Sequence, residues 1–480
     1  MEKILNYIDG SWQVPVDDQW LPVVEPATGK TYAQLANSSD ADVKTAIEAA
    51  AKAGPAWRGL SQQERSDYLY AIANEIEQAL IPLAEAEAKD NGKPIHLAQS
   101  VDIPRAASNF RFFAGAALHH HEAAFSMGQQ AMNYTLKQAL GTVACISPWN
   151  LPLYLFTWKI APALATGNCV ISKPSEVTPM TAFLLSKIVH KIGLPKGVLN
   201  IIHGEGARLG NSLCTAPEIK AISFTGGTAT GAKIASLAAP RFKKLSLELG
   251  GKNPNIIFDD APYEEMLDTT IRSSFSNQGQ ICLCGSRILI ESSIYEQFKK
   301  DFIARTAALT VGSPYHQQTQ VGAIVSEQHL SKILSAIQVA QDEGGSILYG
   351  GKRIKVDEPY DEGFFMEPTI IENLSMDCVT NQEEIFGPVV TLTPFDSDKE
   401  AIALANQSNY GLSATIWTNN LKRAHRVAYE IEAGMVWINT WLLRDLRTPF
   451  GGVKQSGIGR EGGVYALDFF TQPKNVCFTH

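Results

Sequence analysis

Short apolar segments that alternate with helical segments are the feature that most constrains the fold of this 480-residue chain. From about residue 141 the sequence predicts strands over 141–146, 169–172, 198–202 and 221–224, with helical stretches between them. These strands are almost continuously apolar, which is typical of strands buried on both faces of a parallel sheet. The alternation therefore predicts an α/β fold in which βαβ units build a doubly wound sheet.

Apolar residues at helical spacing predict the helices that surround this sheet. A helix is expected to begin around Asp40 and to run through Ala51, with Ser39 or Asp40 as its N-cap, and a second one is expected over 62–88. The alternation resumes after Gly250, which predicts two α/β domains in all. The other predicted elements are helices over 178–192, 207–213, 263–276, 295–309 and 326–342 and a strand over 287–290.

Length and charge exclude several other classes of protein. A chain of 480 residues exceeds the ~250–300 residues at which a single core stops growing. Hydrophobic residues make up 45% and charged residues 19%, which is ordinary for a globular protein and excludes a disordered or fibrous chain. The net charge is −8, without a long basic run, so we expect no nucleic-acid partner.

We expect a cytoplasmic protein without a membrane segment or a metal. The first residues lack the apolar stretch of a signal peptide, and the most apolar segment, 151–170, contains Lys159 and several helix breakers. Seven scattered cysteines do not form a disulfide framework and fit a reducing compartment. Cys282 and Cys284 are too close together for zinc, and the cluster His119–His121 is better explained as a solvated or subunit-contact feature.

Two stretches carry candidate chemistry. In Asn277–Cys284 a thiol lies on a turn between a helix and a strand, where it could be a nucleophile or simply a small buried hydrophobe. In Leu247–Pro254 the carboxylate of Glu248 ends an apolar strand, and two glycines follow it. A carboxylate near a reactive thiol could activate water, although each signal is weak alone.

Together these two stretches resemble the aldehyde dehydrogenase superfamily, and further motifs in the same order extend the resemblance over essentially the whole chain. The resemblance implies an atypical Rossmann NAD-binding domain over 1–122 and 141–250, a catalytic α/β domain over 251–448, and a β oligomerisation arm over 123–140 and 465–480. The further motifs are Pro148–Pro152, Lys173–Glu176, Phe224–Thr228, Glu383–Pro388 and Pro449–Gly452.

The resemblance also implies a mechanism for NAD-dependent aldehyde oxidation. Cys282, the second residue after Gln280, would attack the aldehyde to give a thiohemiacetal, which becomes a thioester when hydride passes to the nicotinamide. The side-chain amide of Asn150 and the backbone N–H of Cys282 would stabilise the oxyanion, and losing such a donor typically costs ~10²–10³ in rate. Glu248 would deprotonate the water that hydrolyses the thioester. Read alone, Asn150 could equally be a turn residue.

The implied NAD site departs from the usual fingerprint. The segment Gly204–Gly210 has one residue too many before its last glycine for G-x-G-x-x-G. Glu176 would bind the adenosine ribose and repel a 2′-phosphate, which favours NAD over NADP; Glu384 could instead belong to a solvated turn. The cofactor residues implied by the resemblance are Ile146, Trp149, Lys173, Glu176, Gly206, Gly210, Phe224, Thr225, Gly226, Gly227, Leu249, Glu384 and Phe386.

Three arginines suggest the substrate. Arg444 and Arg447 lie in the loop that lines the substrate tunnel in the family, and Arg111 lies on a helix that borders it. Arginine binds a carboxylate in a bidentate way and stays charged. These segments resemble the muconic-semialdehyde branch, which implies oxidation of 2-aminomuconic or 2-hydroxymuconic semialdehyde in aromatic catabolism. An ion pair with Asp445 or a subunit contact is the alternative for Arg444 and Arg447.

Two rival functions and the assembly remain open. The chain could oxidise another aldehyde, of an aliphatic or betaine type, or it could be a structural protein with the same fold but no activity. Residues 476–480 and about 122–140 match the oligomerisation strands of the family. An exposed sheet edge needs a partner, so we expect a homodimer or a homotetramer.

Overall fold

The computed structural model of the protein describes residues 1–479 and contains strands throughout the chain. The strands are β1 (Glu2–Ile4), β2 (Asn6–Ile8), β3 (Ser11–Gln13), β4 (Trp20–Glu25), β5 (Lys30–Ala36), β6 (Ala124–Ser126), β7 (Ala131–Ala139), β8 (Thr142–Ile146), β9 (Cys169–Lys173), β10 (Leu199–Ile201), β11 (Ile219–Thr225), β12 (Lys244–Glu248), β13 (Asn253–Ile257), β14 (Gly285–Glu291), β15 (Ser346–Tyr349), β16 (Thr369–Glu372), β17 (Val389–Phe395), β18 (Tyr410–Gly411), β19 (Ser413–Trp417), β20 (Met435–Ile438), β21 (Val453–Lys454), β22 (Gly457–Ile458) and β23 (Thr471–Thr479).

Helices occupy most of the connections between these strands. They are α1 (Asp40–Gly59), α2 (Gln62–Gln78), α3 (Leu80–Asn91), α4 (Ile95–Leu97), α5 (Ile103–Leu118), α6 (Pro152–Ala165), α7 (Met180–Lys191), α8 (Gly206–Thr215), α9 (Thr228–Ala238), α10 (Tyr263–Phe275), α11 (Tyr295–Ala307), α12 (Glu327–Asp342), α13 (Val379–Gln382), α14 (Asp398–Asn406), α15 (Leu421–Glu430) and α16 (Gly463–Phe469). A π-helical turn, Ala98–Asp102, joins α4 to α5.

The first large sheet is the doubly wound sheet that the alternation predicts. Its eight strands follow the order β22-β12-β11-β8-β9-β10-β2-β3, and the five strands from β12 to β10 run parallel. The order in which strands are added to the sheet reverses between β8 and β11, as in the Rossmann fold. Ligands bind at the carboxyl ends of the strands beside such a reversal. The predicted fold class is confirmed.

A second sheet and a small β arm complete the molecule. The second sheet has seven strands in the order β15-β16-β17-β14-β13-β19-β20, all parallel except β15. The arm is an antiparallel sheet in the order β23-β7-β6. The arm therefore joins residues near the C-terminus to residues 124–139.

Local chemistry explains where helices begin and break. Ser39 precedes α1 and its backbone N–H donates to Asp42 Oδ2 at 2.8 Å, which confirms one of the two predicted N-caps. The single helix predicted over 62–88 is wrong, because the chain breaks at Ala79 into α2 and α3. Pro82 explains the break, since its ring would clash with the carbonyl four residues earlier in a continuous helix.

The most apolar segment of the chain forms α6, a helix buried along its whole length. Its one charged residue, Lys159, donates to Glu461 Oε1 at 2.8 Å and to Ser223 Oγ at 3.1 Å, so its charge is paired inside the protein. Across residues 1–479, none of the helices has both the length and the apolar character that crossing a membrane requires.

Candidate active site

The carboxyl ends of the parallel strands bring the predicted residues to one edge of the first sheet. Glu248, at the end of β12, pairs with Thr225 at the end of β11. On the other side of β11, Ile146 pairs with Phe224 and with Lys173. The segment that leaves β8 at this edge continues into α6 and carries Asn150, at the point where the strand order reverses.

The candidate nucleophile follows a turn with unusual backbone geometry. Asn277 and Gln278 have φ values of 51° and 56°, a left-handed conformation that costs non-glycine residues energy. Their side chains hold the turn, because Asn277 Nδ2 donates to the Asn150 carbonyl at 3.0 Å and Gln278 Nε2 to the Ala323 carbonyl at 2.8 Å. A Cβ at Gly279 would lie 2.2 Å from the Gly387 carbonyl oxygen. The turn can therefore take up only one position.

The two neighbouring thiols differ in access. Cys282 is half-buried and lines a large cavity, whereas Cys284 is buried and its backbone N–H donates to the Ile281 carbonyl. Burial raises the pKa of the Cys282 thiol, and the carboxyl groups of Glu384 and Glu248 raise it further. At neutral pH the thiol is therefore protonated at rest, and it has to lose its proton before it can attack a carbonyl carbon.

The cavity beside Cys282 has a volume of about 600 Å³ and mostly apolar walls. Its shape and apolar lining are those of a small-molecule site. The residues that line it are Leu97, Ser100, Val101, Asp102, Pro104, Arg105, Ser108, Leu151, Tyr154, Leu155, Arg272, Ser276, Asn277, Ile281, Cys282, Leu283, Thr440, Trp441, Leu442, Leu443, Arg444 and Phe450.

Glu248 is a fully buried carboxyl group without a hydrogen-bond partner for either oxygen. Burial raises its pKa well above the ordinary value, and the nearby carboxyl of Glu461 raises it further. Lys159 and Arg444 oppose this shift only in part. The raised pKa favours the neutral carboxyl group and makes its ionised form a stronger acceptor of a proton from water.

Asn150 lies directly against the thiol turn. Its side-chain Nδ2 donates to the Gln280 carbonyl at 2.9 Å, two residues before Cys282. An amide nitrogen carries two N–H groups, so the second one is available to an oxygen bound near Cys282. Asn150 is 2% exposed, which shields such a contact from water.

Three arginines line the cavity, Arg105, Arg272 and Arg444, and two of them, Arg105 and Arg444, contact aromatic rings. Arg444 donates to the Tyr154 hydroxyl at 2.9 Å, and its guanidinium lies 4.0 Å from the centre of the Phe450 ring. Arg105 lies over the rings of Tyr154 and Trp158, and Trp158 also faces Arg444. Nε and Nη2 of Arg105 are buried without a hydrogen-bond partner, and burial lowers the pKa of this guanidinium. Of the arginines in the cavity wall, Arg105 therefore has buried donors that no protein atom accepts.

The structure corrects two of the three predicted substrate arginines. Arg111 points away from the cavity and pairs with Glu77 at 2.7 Å on the outer face of α2. Arg447 is 79% exposed and pairs with Asp445 at 2.6 Å, the alternative considered from the sequence. Arg105 was missed, although it lies on the same helix as Arg111. Six residues turn a helix by about 240°, so the two arginines face different directions.

The cofactor residues at the first sheet form an open cradle. Lys173 Nζ lies 2.8 Å from Glu176 Oε2, and the backbone N–H of Gly206 donates to Glu176 Oε1 at 3.3 Å. Burial would raise the pKa of Glu176, but Lys173 and these hydrogen bonds outweigh it and lower the pKa. Gly206, Gly210 and Gly227 all face open space. Phe224 and Leu249 pack against Gly226 and Gly231, respectively.

Glu384 and Phe386 lie beside a second cleft, which Cys282 also lines. Glu384 Oε1 accepts from the Gly251 backbone N–H at 2.9 Å, and burial raises the pKa of Glu384 to about 7. Phe386 has a φ of 59°, and its ring makes an edge-to-face contact with the Trp149 ring, with 5.2 Å between the ring centres. His329 was missed by the sequence reasoning; its Nε2 lies 2.8 Å from the Phe386 carbonyl. The thiol thus lies between the large cavity and this cleft.

Comparison with known proteins identifies the family. The model of the aldehyde dehydrogenase family matches residues 12–476, so the chain belongs to this family and the resemblance is confirmed. Among curated proteins, the 2-aminomuconic semialdehyde dehydrogenase of Bos taurus is 47% identical over 99% of this chain and 98% of its own length. The 2-hydroxymuconic semialdehyde dehydrogenase of Pseudomonas sp. (strain CF600) is 43% identical, with 99% of each protein covered.

Solved structures agree with the family assignment. A betaine aldehyde dehydrogenase of Staphylococcus aureus in complex with NAD⁺ superposes with a TM-score of 0.96 at 36% identity, covering 100% of this chain and 98% of that one. An NAD⁺ complex of aldehyde dehydrogenase from Bacillus cereus gives a TM-score of 0.97 at 36% identity, covering 100% and 97%. The protein is an aldehyde dehydrogenase by fold and by sequence.

Proposed function

We propose that this protein uses NAD to oxidise a short, conjugated semialdehyde that carries a carboxylate, with 2-aminomuconic and 2-hydroxymuconic semialdehyde as the substrates. The observation that carries the proposal is that Arg105 and Arg444 lie in the wall of a mostly apolar cavity beside Cys282. A buried guanidinium with unpaired donors is costly unless an anion completes it. The names of the curated relatives support the same substrates.

The residues at the first sheet fit NAD. Gly206, Gly210 and Gly227 leave open space where a dinucleotide could approach the backbone closely, and the N-terminus of α9 suits a pyrophosphate. The hydroxyl of Thr225 is buried without a hydrogen-bond partner in this cradle. Glu176 would accept from the ribose hydroxyls and disfavour a 2′-phosphate. When bound, NAD supplies the acceptor for the hydride.

Each step of the proposed oxidation is assigned to a different residue of the chain. Cys282 passes its thiol proton to one of the carboxyl groups beside it and attacks the aldehyde carbon as the thiolate. The second N–H of the Asn150 amide stabilises the charge that develops on the carbonyl oxygen. Glu384 and Glu248 are the carboxyl groups that face the thiol. Glu248, once ionised, takes a proton from the water that releases the acid from Cys282. The apolar walls exclude bulk water, which strengthens each of these contacts.

The arginines set which aldehydes bind productively. Phe450 and Trp158 hold Arg444 in place by stacking, and Tyr154 accepts one of its hydrogen bonds. Arg105 contributes two further donors without partners. A carboxylate accepts several such bonds at once, whereas a neutral aldehyde or a betaine-type cation offers these groups nothing. This argues against an aliphatic or betaine-type aldehyde as the substrate.

We also propose a homodimer or homotetramer that works in the cytoplasm. The β arm exposes apolar side chains, with Phe125 59% and Met127 51% exposed, and an exposed strand edge invites pairing with a second copy. All seven cysteines are free thiols, which suits a reducing compartment.

The test is a steady-state comparison of substrates by NADH absorbance. Both muconic semialdehydes, a neutral aldehyde of similar length and betaine aldehyde are assayed with NAD and with NADP. We expect the highest kcat/KM for one of the two semialdehydes with NAD. A higher kcat/KM for the neutral or the betaine-type aldehyde would overturn the proposed substrate, and no NADH with any aldehyde would favour the structural protein considered above.

A further inference from the structure

A buried ionic cluster lies next to Asn150 and has no part in the chemistry described so far. Lys93 is fully buried; its ammonium group contacts Asp102 and lies 3.6 Å from Glu87 Oε1. The same ammonium donates to the backbone carbonyl of Asn150 at 3.1 Å. A buried cation with two acids around it is costly to desolvate. Its contact with the segment that carries Asn150 therefore points to a role in the function of that segment.

The contacts of this cluster converge on the segment that carries the oxyanion amide. Glu87 Oε2 accepts from the Leu153 backbone N–H at 3.2 Å. Besides Lys93, the Asn150 carbonyl accepts from Asn91 Nδ2 at 3.3 Å and from Asn277 Nδ2 at 3.0 Å. Lys93 is the only charged donor of the three, and charge-assisted hydrogen bonds are about twice as strong as neutral ones.

Fixing the carbonyl fixes the side chain. The backbone of Asn150 cannot rotate while three donors hold its oxygen, so its Cα–Cβ bond keeps one direction. The side-chain amide is then held with one N–H on the Gln280 carbonyl. Its other N–H is the donor that, in the proposed role of Asn150, meets the oxyanion beside Cys282.

The cluster also reaches the other end of the cavity. Asp102 is the last residue of the π-helical turn Ala98–Asp102, it lines the cavity, and Arg105 follows it by three residues. π-helical turns inside helices recur at functional sites. The ion pair between Lys93 and Asp102 therefore ties the oxyanion segment to the helix that carries Arg105, and it holds the two ends of the substrate site at one separation.

We propose that Lys93 is a positioning residue for aldehyde oxidation, which orients the Asn150 amide towards the oxyanion and, through Asp102, fixes its distance from Arg105. This inference rests on the proposed roles of Asn150 and Cys282 but not on the identity of the semialdehyde. Lys93 itself touches neither the thiol nor the substrate. Its effect should therefore depend on the presence of the Asn150 side chain.

The test is a double-mutant cycle that measures the burst rate of NADH formation. Asn150→Ala should slow the burst about 10²–10³-fold, because it removes the oxyanion donor. Lys93→Met should slow it about tenfold to a hundredfold, because a misplaced amide stabilises the oxyanion less well but is still present. Adding Lys93→Met to Asn150→Ala should slow the burst by less than about threefold more, since coupled residues are not additive. The assay is run with a muconic semialdehyde and with a neutral aldehyde, because both form an oxyanion.

Controls separate positioning from general damage. The dissociation constant for NAD, measured by protein fluorescence, should be unchanged in every variant. Lys243→Met is the matched control, because Lys243 is also buried and donates to backbone carbonyls, of Ala216 and Ile219, away from the cavity. Its burst rate should be that of the unaltered enzyme. If Lys93→Met does not fold, Asp102→Asn is added to it, because this change removes the carboxylate that Lys93→Met leaves unpaired. The Lys93→Met/Asp102→Asn variant then takes the place of Lys93→Met in the cycle.

Each outcome decides the inference. If the double variant slows the burst by the product of the two single-variant factors, Lys93 acts independently of the Asn150 amide, and the inference is overturned. An unchanged burst in Lys93→Met would overturn it as well. An unchanged burst in Asn150→Ala would overturn the proposed role of Asn150 together with this inference. Low activity of the unaltered enzyme on both semialdehydes, with a normal cycle on the neutral aldehyde, would overturn only the proposed substrate.

Discussion

Replacing Arg105 by methionine is the sharpest test of how the site selects its substrate. Methionine keeps an unbranched apolar stem like that of arginine, although the guanidinium itself makes the contacts with the rings of Tyr154 and Trp158. It removes the guanidinium, whose Nε and Nη2 are buried and have no partner in the protein. If these donors bind the carboxylate of the substrate, kcat/KM for a muconic semialdehyde should fall.

The magnitude follows from the two unpaired donors. A hydrogen bond to a charged group contributes about 1.5–3 kcal/mol, so two at the lower end give about 3 kcal/mol. At ~1.4 kcal/mol per factor of ten, this predicts a loss of about 150-fold in kcat/KM. The range for truncating one member of a buried charged pair, about 2–5 kcal/mol, brackets this value.

The assay compares kcat/KM for a muconic semialdehyde with that for a neutral aldehyde of similar length. The neutral substrate should lose little in Arg105→Met. Arg111→Met is the matched control, because Arg111 lies on the same helix but pairs with Glu77 outside the cavity; it should retain full activity on both substrates. An equal loss on both substrates in Arg105→Met would mean that Arg105 supports the fold rather than the carboxylate, and the substrate assignment would be withdrawn.

Three further predictions concern the thiol, the base and the cofactor. Cys282→Ala should abolish aldehyde oxidation and leave the affinity for NAD intact, while Cys284→Ala, whose thiol is buried, should retain most activity; the reverse pattern would shift the assigned nucleophile. Since burial raises the pKa of Glu248, its stabilising contribution is complete below the ordinary value of 4.5 and is lost as the pH rises through the raised pKa. Glu248→Gln should therefore gain stability relative to the unaltered protein as the pH rises from 4.5 towards the raised pKa, by up to ~1.4 kcal/mol per pH unit, and keep that gain above it. Parallel urea midpoints from about pH 5 to 8 would contradict this. Glu176→Gln should reduce the ratio of kcat/KM with NAD to kcat/KM with NADP. Equal kcat/KM for the two cofactors in the unaltered enzyme would contradict the proposed role of Glu176.

The sequence predicts the sheet that carries the site because its strands are buried on both faces. Such strands read as continuous apolar runs, and β8 to β11 lie within two residues of their predicted limits. The break at Ala79 was not predicted, because apolar spacing continues through it and only Pro82, three residues later, signals the clash. Periodicity describes which face is buried but says little about where the backbone is interrupted.

The sequence predicts the positions of site residues that end strands better than the positions of those that lie on helices. Glu248 and Thr225 end neighbouring parallel strands, so strand order alone brings them together. Arg105 and Arg111 lie on one helix, and their facing depends on a π-helical turn just before it, which no spacing in the sequence reveals. Lys93 is separated from Asn150 by 57 positions, and only the folded structure brings its charge to that carbonyl.

The most direct measurement is the mass of the intermediate on the enzyme. Glu248→Gln, mixed with 2-hydroxymuconic semialdehyde and NAD and then quenched with acid, should accumulate a thioester, because hydrolysis lacks its base. Peptide mass spectrometry should find the acyl group of the muconic acid on Cys282, together with about one equivalent of NADH per site. An acyl group on Cys284, or NADH formed without any acyl-enzyme, would contradict the account.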